Sequence, residues 1–219
     1  MHLWFGPITI LDMELFSSEK NREPIKLPLP DAEAIYYPSF FTLEESALYF
    51  EILNSKTPWQ QDDIKLFGKT YPQPRLTALY GDDDKSYSYS GIEMLPKPFS
   101  KTLKEIKLKI EKVSEVKFTT VLLNLYRDGN DSNGWHSDDE KELGINPFIA
   151  SVSFGTNRMF HLKHKQDKNL RYKLLLENGS LLLMKEATQH NWQHQLPKSK
   201  KIKESRINLT FRILKKPYN

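Results

Sequence analysis

The spacing of apolar residues changes along this chain. Thr42-Leu43-Glu44-Glu45 has the form of a capping box, with Thr42 as N-cap and Glu45 three residues on. It predicts a helix running to about Asn54. After Pro98, Leu103, Ile106, Ile110 and Val113 recur at intervals of three and four, so a second helix carries one apolar face. Its other face is rich in lysine and reads as a solvated surface. From residue 119 onward the period shortens to two. Strands are expected at 119–126, 148–155, 158–164, 171–176, 180–185 and 206–214. Asn178-Gly179 separates two of these runs and predicts a hairpin turn. Helices followed by short strands give an α+β chain that is mainly β, a sandwich or jelly roll with the N-terminal helices packed on one sheet. Residues 1–30, ending in the Pro-rich EPIKLPLP, read as an extension to one domain over 31–219.

Composition narrows the classes. The 219 residues include no cysteine, which excludes disulfides, zinc–cysteine sites and thiol chemistry. A net charge of +4 fits an anionic partner as well as it fits an ordinary basic protein. No apolar run reaches the ~20 residues of a membrane span. The first fifteen residues lack a basic start and are interrupted by Gly6 and Pro7, so they read poorly as a signal peptide. The expectation is a cytoplasmic monomer with no membrane partner.

Candidate chemistry begins at His136-Ser137-Asp138, after the turn-rich DGNDSNGW. In extended chain, residues i and i+2 point the same way, so both side chains can face one metal. A further histidine would complete a two-histidine, one-carboxylate set, with His190 and His194 as candidates. Iron(II) and zinc both suit such donors. Residues 206–213 alternate completely: Ile207, Leu209, Phe211 and Ile213 on one face, Arg206, Asn208, Thr210 and Arg212 on the other. The two arginines lie at most about 20 Å apart along an extended strand. Guanidinium forks suit carboxylates, so a dicarboxylate could be gripped at both ends. On strand 119–126, Asn124 and Tyr126 share a face and could serve the same acid.

The run Asn124-Leu-Tyr126-Arg-Asp-Gly129-Asn-Asp131-Ser-Asn-Gly134-Trp-His136-Ser-Asp138-Asp139-Glu140 resembles the N-x-Y-x-x-G-x-D-x-x-G-x-H-x-D-D-E segment of the AlkB family. More narrowly, it resembles the family's double-strand DNA repair branch. Ser151-Val-Ser-Phe-Gly155, Gly179-Ser-Leu-Leu, His194-Gln-Leu-Pro197 and Arg206-Ile-Asn-Leu-Thr-Phe-Arg212 continue the likeness, as do Phe67-Gly-Lys69, Pro74-Arg75, Tyr80-Gly81, Tyr87-Ser-Tyr89-Ser-Gly91 and Pro96-Lys-Pro98. It spans roughly residues 65–214 and implies a double-stranded β-helix, with a substrate-recognition part at about 65–100 and a catalytic jelly roll at about 119–214.

The resemblance implies Fe(II) on His136, Asp138 and His194, with 2-oxoglutarate and dioxygen (O2) as co-substrates. His194, twelve residues before Arg206, is favoured over His190. Arg206, Asn208 and Tyr126 would hold the distal carboxylate of 2-oxoglutarate; Arg212 and Asn124 would serve its chelating end, and Thr210 would line the pocket. Tyr87, Tyr89, Asp139 and Glu140 would meet a base flipped from the stack. The family branch has Phe at the Tyr89 position. Phe67 would act as a wedge; Arg75, Lys163, Lys165, Lys168 and Arg171 would contact phosphates. His161 and His164 read as strand or loop residues rather than ligands. The implied activity is oxidative demethylation of N1-methyladenine and N3-methylcytosine in DNA, double-stranded first, with release of formaldehyde, succinate and carbon dioxide. An RNA or protein demethylase or hydroxylase, a zinc hydrolase and a non-catalytic nucleic-acid-binding module are the alternatives. The hydrolase leaves the arginine pair unexplained, and the binding module leaves the histidine–aspartate set unexplained.

Overall fold

The computed structural model describes residues 23–66, 68–82, 87–89 and 92–215. Strands β1 (Ile25–Lys26) and β2 (Glu33–Tyr37) precede helix α1 (Leu43–Lys56). Strands β3 (Asp63–Leu66), β4 (Lys69–Pro72), β5 (Leu76–Gly81), β6 (Tyr87–Tyr89), β7 (Ile92–Met94) and β8 (Lys97–Pro98) lead to helix α2 (Lys101–Ser114). Then come β9 (Thr120–Tyr126), β10 (Asn133–His136), β11 (Ile149–Gly155), β12 (Arg158–His164), β13 (Arg171–Leu176) and β14 (Ser180–Lys185). The one-turn helix α3 (Thr188–Asn191), β15 (Trp192–Leu196) and β16 (Arg206–Arg212) complete the chain.

Both halves of the capping box form at α1. The Thr42 hydroxyl accepts from the Glu45 N–H at 3.1 Å, and the Glu45 carboxylate accepts from the Thr42 N–H at 2.8 Å. Helix α2 starts at Ser100, whose hydroxyl accepts from the Leu103 N–H. Its Leu103, Ile106 and Ile110 are buried, but Val113 is exposed. At about 100° per residue Val113 lies roughly 80° round from Leu103, at the edge of the stripe.

Two sheets face each other. The major sheet has the order β1-β2-β14-β11-β16-β9-β5-β8 and the minor one β10-β15-β12-β13; β3-β4 and β6-β7 are separate two-stranded pairs. From β9 to β16 the chain passes back and forth between the two large sheets, and only β12–β13 are consecutive strands within one of them. That shuttling is the double-stranded β-helix. It also corrects the reading of Asn178-Gly179. Strand β13 pairs with β12, whereas β14 pairs with β11 and β2, so the turn carries the chain from one sheet to the other. Leu174 and Leu176 on one side and Leu182 and Met184 on the other enter the same core from opposite sheets. Gly179 has φ +74°, and a Cβ there would meet the Ser46 hydroxyl at 2.5 Å and the Phe41 carbonyl at 2.8 Å.

The alternation sorts residues into two cores. On β9, β11, β14 and β16, one face (Leu123, Val152, Leu181, Leu209 and their neighbours) packs on Phe41, Leu53, Leu103, Ile106 and Ile110 of the helical layer. The other face looks into the space between the sheets, where Leu122, Leu182 and Met184 join Leu162, Leu174 and Trp192. Leu27 and Leu29, within the expected N-terminal extension, are buried in this inter-sheet core, and the Trp192 indole donates to the Pro30 carbonyl at 2.8 Å. No helix among the described residues is long and apolar enough to cross a membrane.

Candidate metal centre

At one end of the inter-sheet space the filling turns polar. The pocket is lined by Asn124 and Tyr126 of β9, Asn208, Thr210 and Arg212 of β16, Ser151 of β11, and His136, Asp138 and His194, with Phe160, Met184 and Leu196 as apolar walls. Register explains the gathering. Asn208 lies opposite Asn124 on one side and Ser153 on the other, and Arg206 lies opposite Tyr126. The polar half of each alternating strand therefore faces the minor sheet.

His136 pairs across the minor sheet with His194. Their Nε2 atoms are 3.2 Å apart. The Asp138 carboxylate, just beyond β10, lies 4.0 Å from His136 Nε2 and 3.9 Å from His194 Nε2. Two ligands held about 2.1 Å from one ion at a right angle sit about 3 Å apart, so the imidazoles are already at ligand spacing. His136 Nδ1 is 2.7 Å from the Gly134 carbonyl, which makes Nδ1 the N–H donor and turns the Nε2 lone pair toward the cluster. His190 is exposed and outside the cluster, which resolves the third member as His194.

The supporting contacts fix the carboxylate. The Asp138 N–H donates to Gln189 Oε1 at 2.9 Å, and Arg212 Nη2 donates to Asp138 Oδ1 at 2.7 Å. Burial opposes the charge on Asp138, but Arg212 first and then the imidazoles hold its carboxyl down at about 2. Burial, and after it His136, pushes His194 down to about 3. Burial also lowers His136. At neutral pH the cluster is thus two neutral imidazoles and one carboxylate: two nitrogen donors and one oxygen donor.

Arg206 is the second feature. It is 2% exposed, its Nη2 donates to the Ser153 hydroxyl at 2.9 Å, and its guanidinium lies 5.4 Å from the Tyr126 ring centroid. Among the described residues no carboxylate pairs with it, and its Nε has no hydrogen-bond partner. Burial pushes it down to about 10. A buried cation without an anion is costly, and an organic carboxylate reaching it from this pocket would satisfy it.

Other expected residues are placed differently. Arg75 is not on the surface. It is 4% exposed, and its Nε donates to Asn124 Oδ1 at 2.8 Å. The reason is position: it shares a face with Thr77, which lies opposite Asn124, so its side chain turns into the pocket wall. Asn208 Nδ2 donates to the Ser151 hydroxyl and the Val152 carbonyl, and its Oδ1 accepts from Thr210. Lys165 is exposed and bonds the Asp139 carboxylate at 3.1 Å and the Gln189 carbonyl at 2.9 Å. Lys163 lies 4.5 Å from the Trp135 ring centroid. Asp139 is exposed and Glu140 half-buried. Phe67 lies outside the described residues. Tyr87 and Tyr89 form β6, and their side chains lie outside what is described. Gln189, Asn133, Ser153 and Phe160 belong to the site although sequence reasoning does not reach them. Ser151 and Ser153 carry a signal, alternating with Ala150, Val152 and Phe154. Gln189, on a single helical turn, carries none.

A jelly roll with this cluster between its sheets defines an oxygenase class, and the chain belongs to it: the model of the 2OG-Fe(II) oxygenase superfamily matches residues 33–212. Among its relatives, alpha-ketoglutarate-dependent dioxygenase alkB homolog 3 of Bos taurus is 44% identical over 191 residues, covering 81% of this chain and 64% of that protein. DNA oxidative demethylase ALKBH2 of Arabidopsis thaliana is 37% identical over 215 residues, covering 84% and 67%. The chain therefore spans just under two thirds of the bovine relative. The solved structure of OsALKBH1 superposes with a TM-score of 0.60 at 13% identity, over 87% of this chain and 100% of that one. An oxidoreductase of the 2OG-Fe(II) oxygenase family from Burkholderia pseudomallei gives 0.55 at 12%, over 82% and 84%. These two likenesses speak for the fold. The family's cofactor set is Fe(II), 2-oxoglutarate and dioxygen. The residues present fit it: an N,N,O donor set for the metal and an uncompensated buried guanidinium for a carboxylate.

Proposed function

We propose that this protein is a DNA repair enzyme that oxidatively removes alkyl groups, such as the methyl of N1-methyladenine or N3-methylcytosine, from DNA bases. One observation carries the reading: the His136–Asp138–His194 cluster lines the inter-sheet pocket, and the anion-seeking Arg206 stands behind Tyr126 of the same lining. Two of the relatives' names, dioxygenase and DNA oxidative demethylase, support it.

When bound, iron(II) would let dioxygen oxidise 2-oxoglutarate to succinate and carbon dioxide and hydroxylate the N-methyl carbon, and the hydroxymethyl group would leave as formaldehyde. The chain's own residues do the rest. His136, Asp138 and His194 hold the metal, with Gln189 and Arg212 fixing the carboxylate. Arg206 and Tyr126 receive the far carboxylate of the co-substrate. Phe160, Met184 and Leu196 keep the pocket's walls apolar.

The test is incubation with iron(II), ascorbate, 2-oxoglutarate and DNA carrying N1-methyladenine or N3-methylcytosine. Formaldehyde and restored bases are expected in equal amounts. Absence of turnover on methylated DNA would overturn the reading, as would activity that persists without 2-oxoglutarate.

A further inference from the structure

Strand β10 is irregular where it meets the metal cluster. Asn133 lies opposite Leu196 and His136 lies opposite His194, so three steps along β10 match two along β15. The extra residue is a β-bulge at Gly134-Trp135, both exposed. In an unbroken strand, residues three apart point to opposite faces. The bulge cancels that difference, and Asn133 and His136 both line the pocket. The backbone just before Asn133 is fixed: the Ser132 N–H donates to the Pro74 carbonyl at 2.9 Å, and the Ser132 carbonyl accepts from Arg75 Nη1 at 3.4 Å.

The bulge sets the Asn133 carboxamide against the metal-facing nitrogen of His136, with Nδ2 3.1 Å from Nε2. His136 Nδ1 carries the ring's proton toward the Gly134 carbonyl, so the Nε2 lone pair is on the side of the amide and of His194 Nε2, 3.2 Å away. The two separations are alike, and both are the roughly 3 Å expected between neighbouring ligands of one ion. An ion on Nε2 takes up that lone pair, and the amide end beside it then faces a cation. The NH2 end is repelled there. The carbonyl end, of the same shape, comes round by a half-turn about the Cβ–Cγ bond. Asparagine carbonyls are ordinary ligands of hard divalent ions.

We propose that Asn133 is a fourth protein ligand of the metal, binding through its carboxamide oxygen beside His136. The proposal rests on the iron site of the dealkylase reading and not on its DNA substrate. It adds a neutral oxygen donor to two imidazoles and one carboxylate. Such a donor is weaker than a second carboxylate. It holds a coordination position and yields it to a stronger ligand, so the open positions that a co-substrate and oxygen require remain within reach.

The test uses the whole protein, with manganese(II) as the probe and no DNA. Calorimetric titration compares wild type with Asn133→Leu and Asn133→Asp. Asn133→Leu should weaken manganese(II) binding roughly tenfold, the lower end of what loss of a supporting polar group costs a metal site. Asn133→Asp keeps an oxygen at the same place and adds charge, so it should bind at least as tightly as wild type. Unchanged affinity in Asn133→Leu overturns the ligand. So does equal weakening in both variants, which is what disturbed packing of β10 alone would give. The second measurement is the crystal structure of the manganese(II)-loaded protein. Asn133 Oδ1 is expected about 2.1 Å from the ion, the distance of an oxygen ligand. An amide that stays outside ligand distance overturns the proposal whatever the affinities. Manganese(II) binding that depends on Asn133, in a protein inactive on methylated DNA, defeats the dealkylase reading and leaves the ligand standing.

Discussion

Replacing Arg206 by Met should raise stability while removing co-substrate binding. Burial pushes the guanidinium well below its ordinary value, down to about 10. At about 1.36 kcal/mol per tenfold change in proton affinity, that disfavours the buried cation by about 3 kcal/mol. Against this stand the hydrogen bond to Ser153 and the Tyr126 ring, about 1 kcal/mol each. Met keeps an unbranched apolar stem and removes all three contributions, for a net gain of about 1 kcal/mol. In a chain of this size that is a Tm rise of about 2–4 °C. Saturation of the wild type with 2-oxoglutarate at a hundredfold excess over Kd adds about 2.7 kcal/mol, or about 5–10 °C. Arg206→Met should show no such increment. The measurement is thermal unfolding with and without 2-oxoglutarate, in the presence of manganese(II) as a redox-quiet metal. A variant that melts several degrees below wild type without ligand, or that still gains stability from 2-oxoglutarate, refutes the reasoning.

Asp138→Asn keeps shape but removes the anion facing Arg212, so it should abolish metal binding by calorimetric titration and lower stability by about 3 kcal/mol, the scale of a broken buried pair; His190→Ala should change neither. At Gly129 a Cβ would lie 1.8 Å from the Ser199 carbonyl oxygen, so Gly129→Ala should undock the 198–203 loop, seen as faster proteolysis there and a decrease of roughly 2 kcal/mol in urea unfolding. Burial opposes the charge on Glu111, but Lys117, the Phe118 N–H and Lys107 together lower its pKa below the usual 4.5. A depressed carboxylate contributes stability above its unfolded pKa and loses it as pH falls through the folded one. Stability should therefore drop as pH falls below about 4.5, and less steeply in Glu111→Gln; identical slopes by denaturant titration would contradict this.

What can be read from the sequence follows from which forces are local. The cap at Thr42, the stripe of α2 and the strand bounds at 158–164, 171–176 and 180–185 depend on near neighbours, and all three strands match residue for residue. Strand β15 escapes a reading of the sequence because Trp192-Gln-His-Gln-Leu196 follows a one-turn helix closely and leaves no turn signal. Asn178-Gly179 misleads because the backbone preference of Asn-Gly sets the turn, not the partner; burial in a shared core sends its two strands to different sheets. Arg75 looks like surface charge because sequence shows charge and not the group facing it. The Asn124 amide that receives it is 49 residues away.

The two arginines of β16 show how one alternating strand can divide its labour. Sequence spacing suggests that Arg206 and Arg212 grip the two ends of one acid. Their neighbours separate them. Arg212 meets Asp138 at 2.7 Å and holds that carboxylate ionised at the metal cluster, whereas among the described residues Arg206 meets the neutral Ser153 and Tyr126 and no carboxylate. The strand's rigid pairing with β9 and β11 sets the distance between these two demands. A co-substrate that carries one carboxylate to Arg206 has its other end directed toward the cluster, because the pocket runs between the sheets from Tyr126, which Arg206 abuts, to Arg212. The charge left uncompensated at Arg206 is thus a selection for an acid with a second functional end. A monocarboxylate of the same size would satisfy the guanidinium but present nothing to the metal.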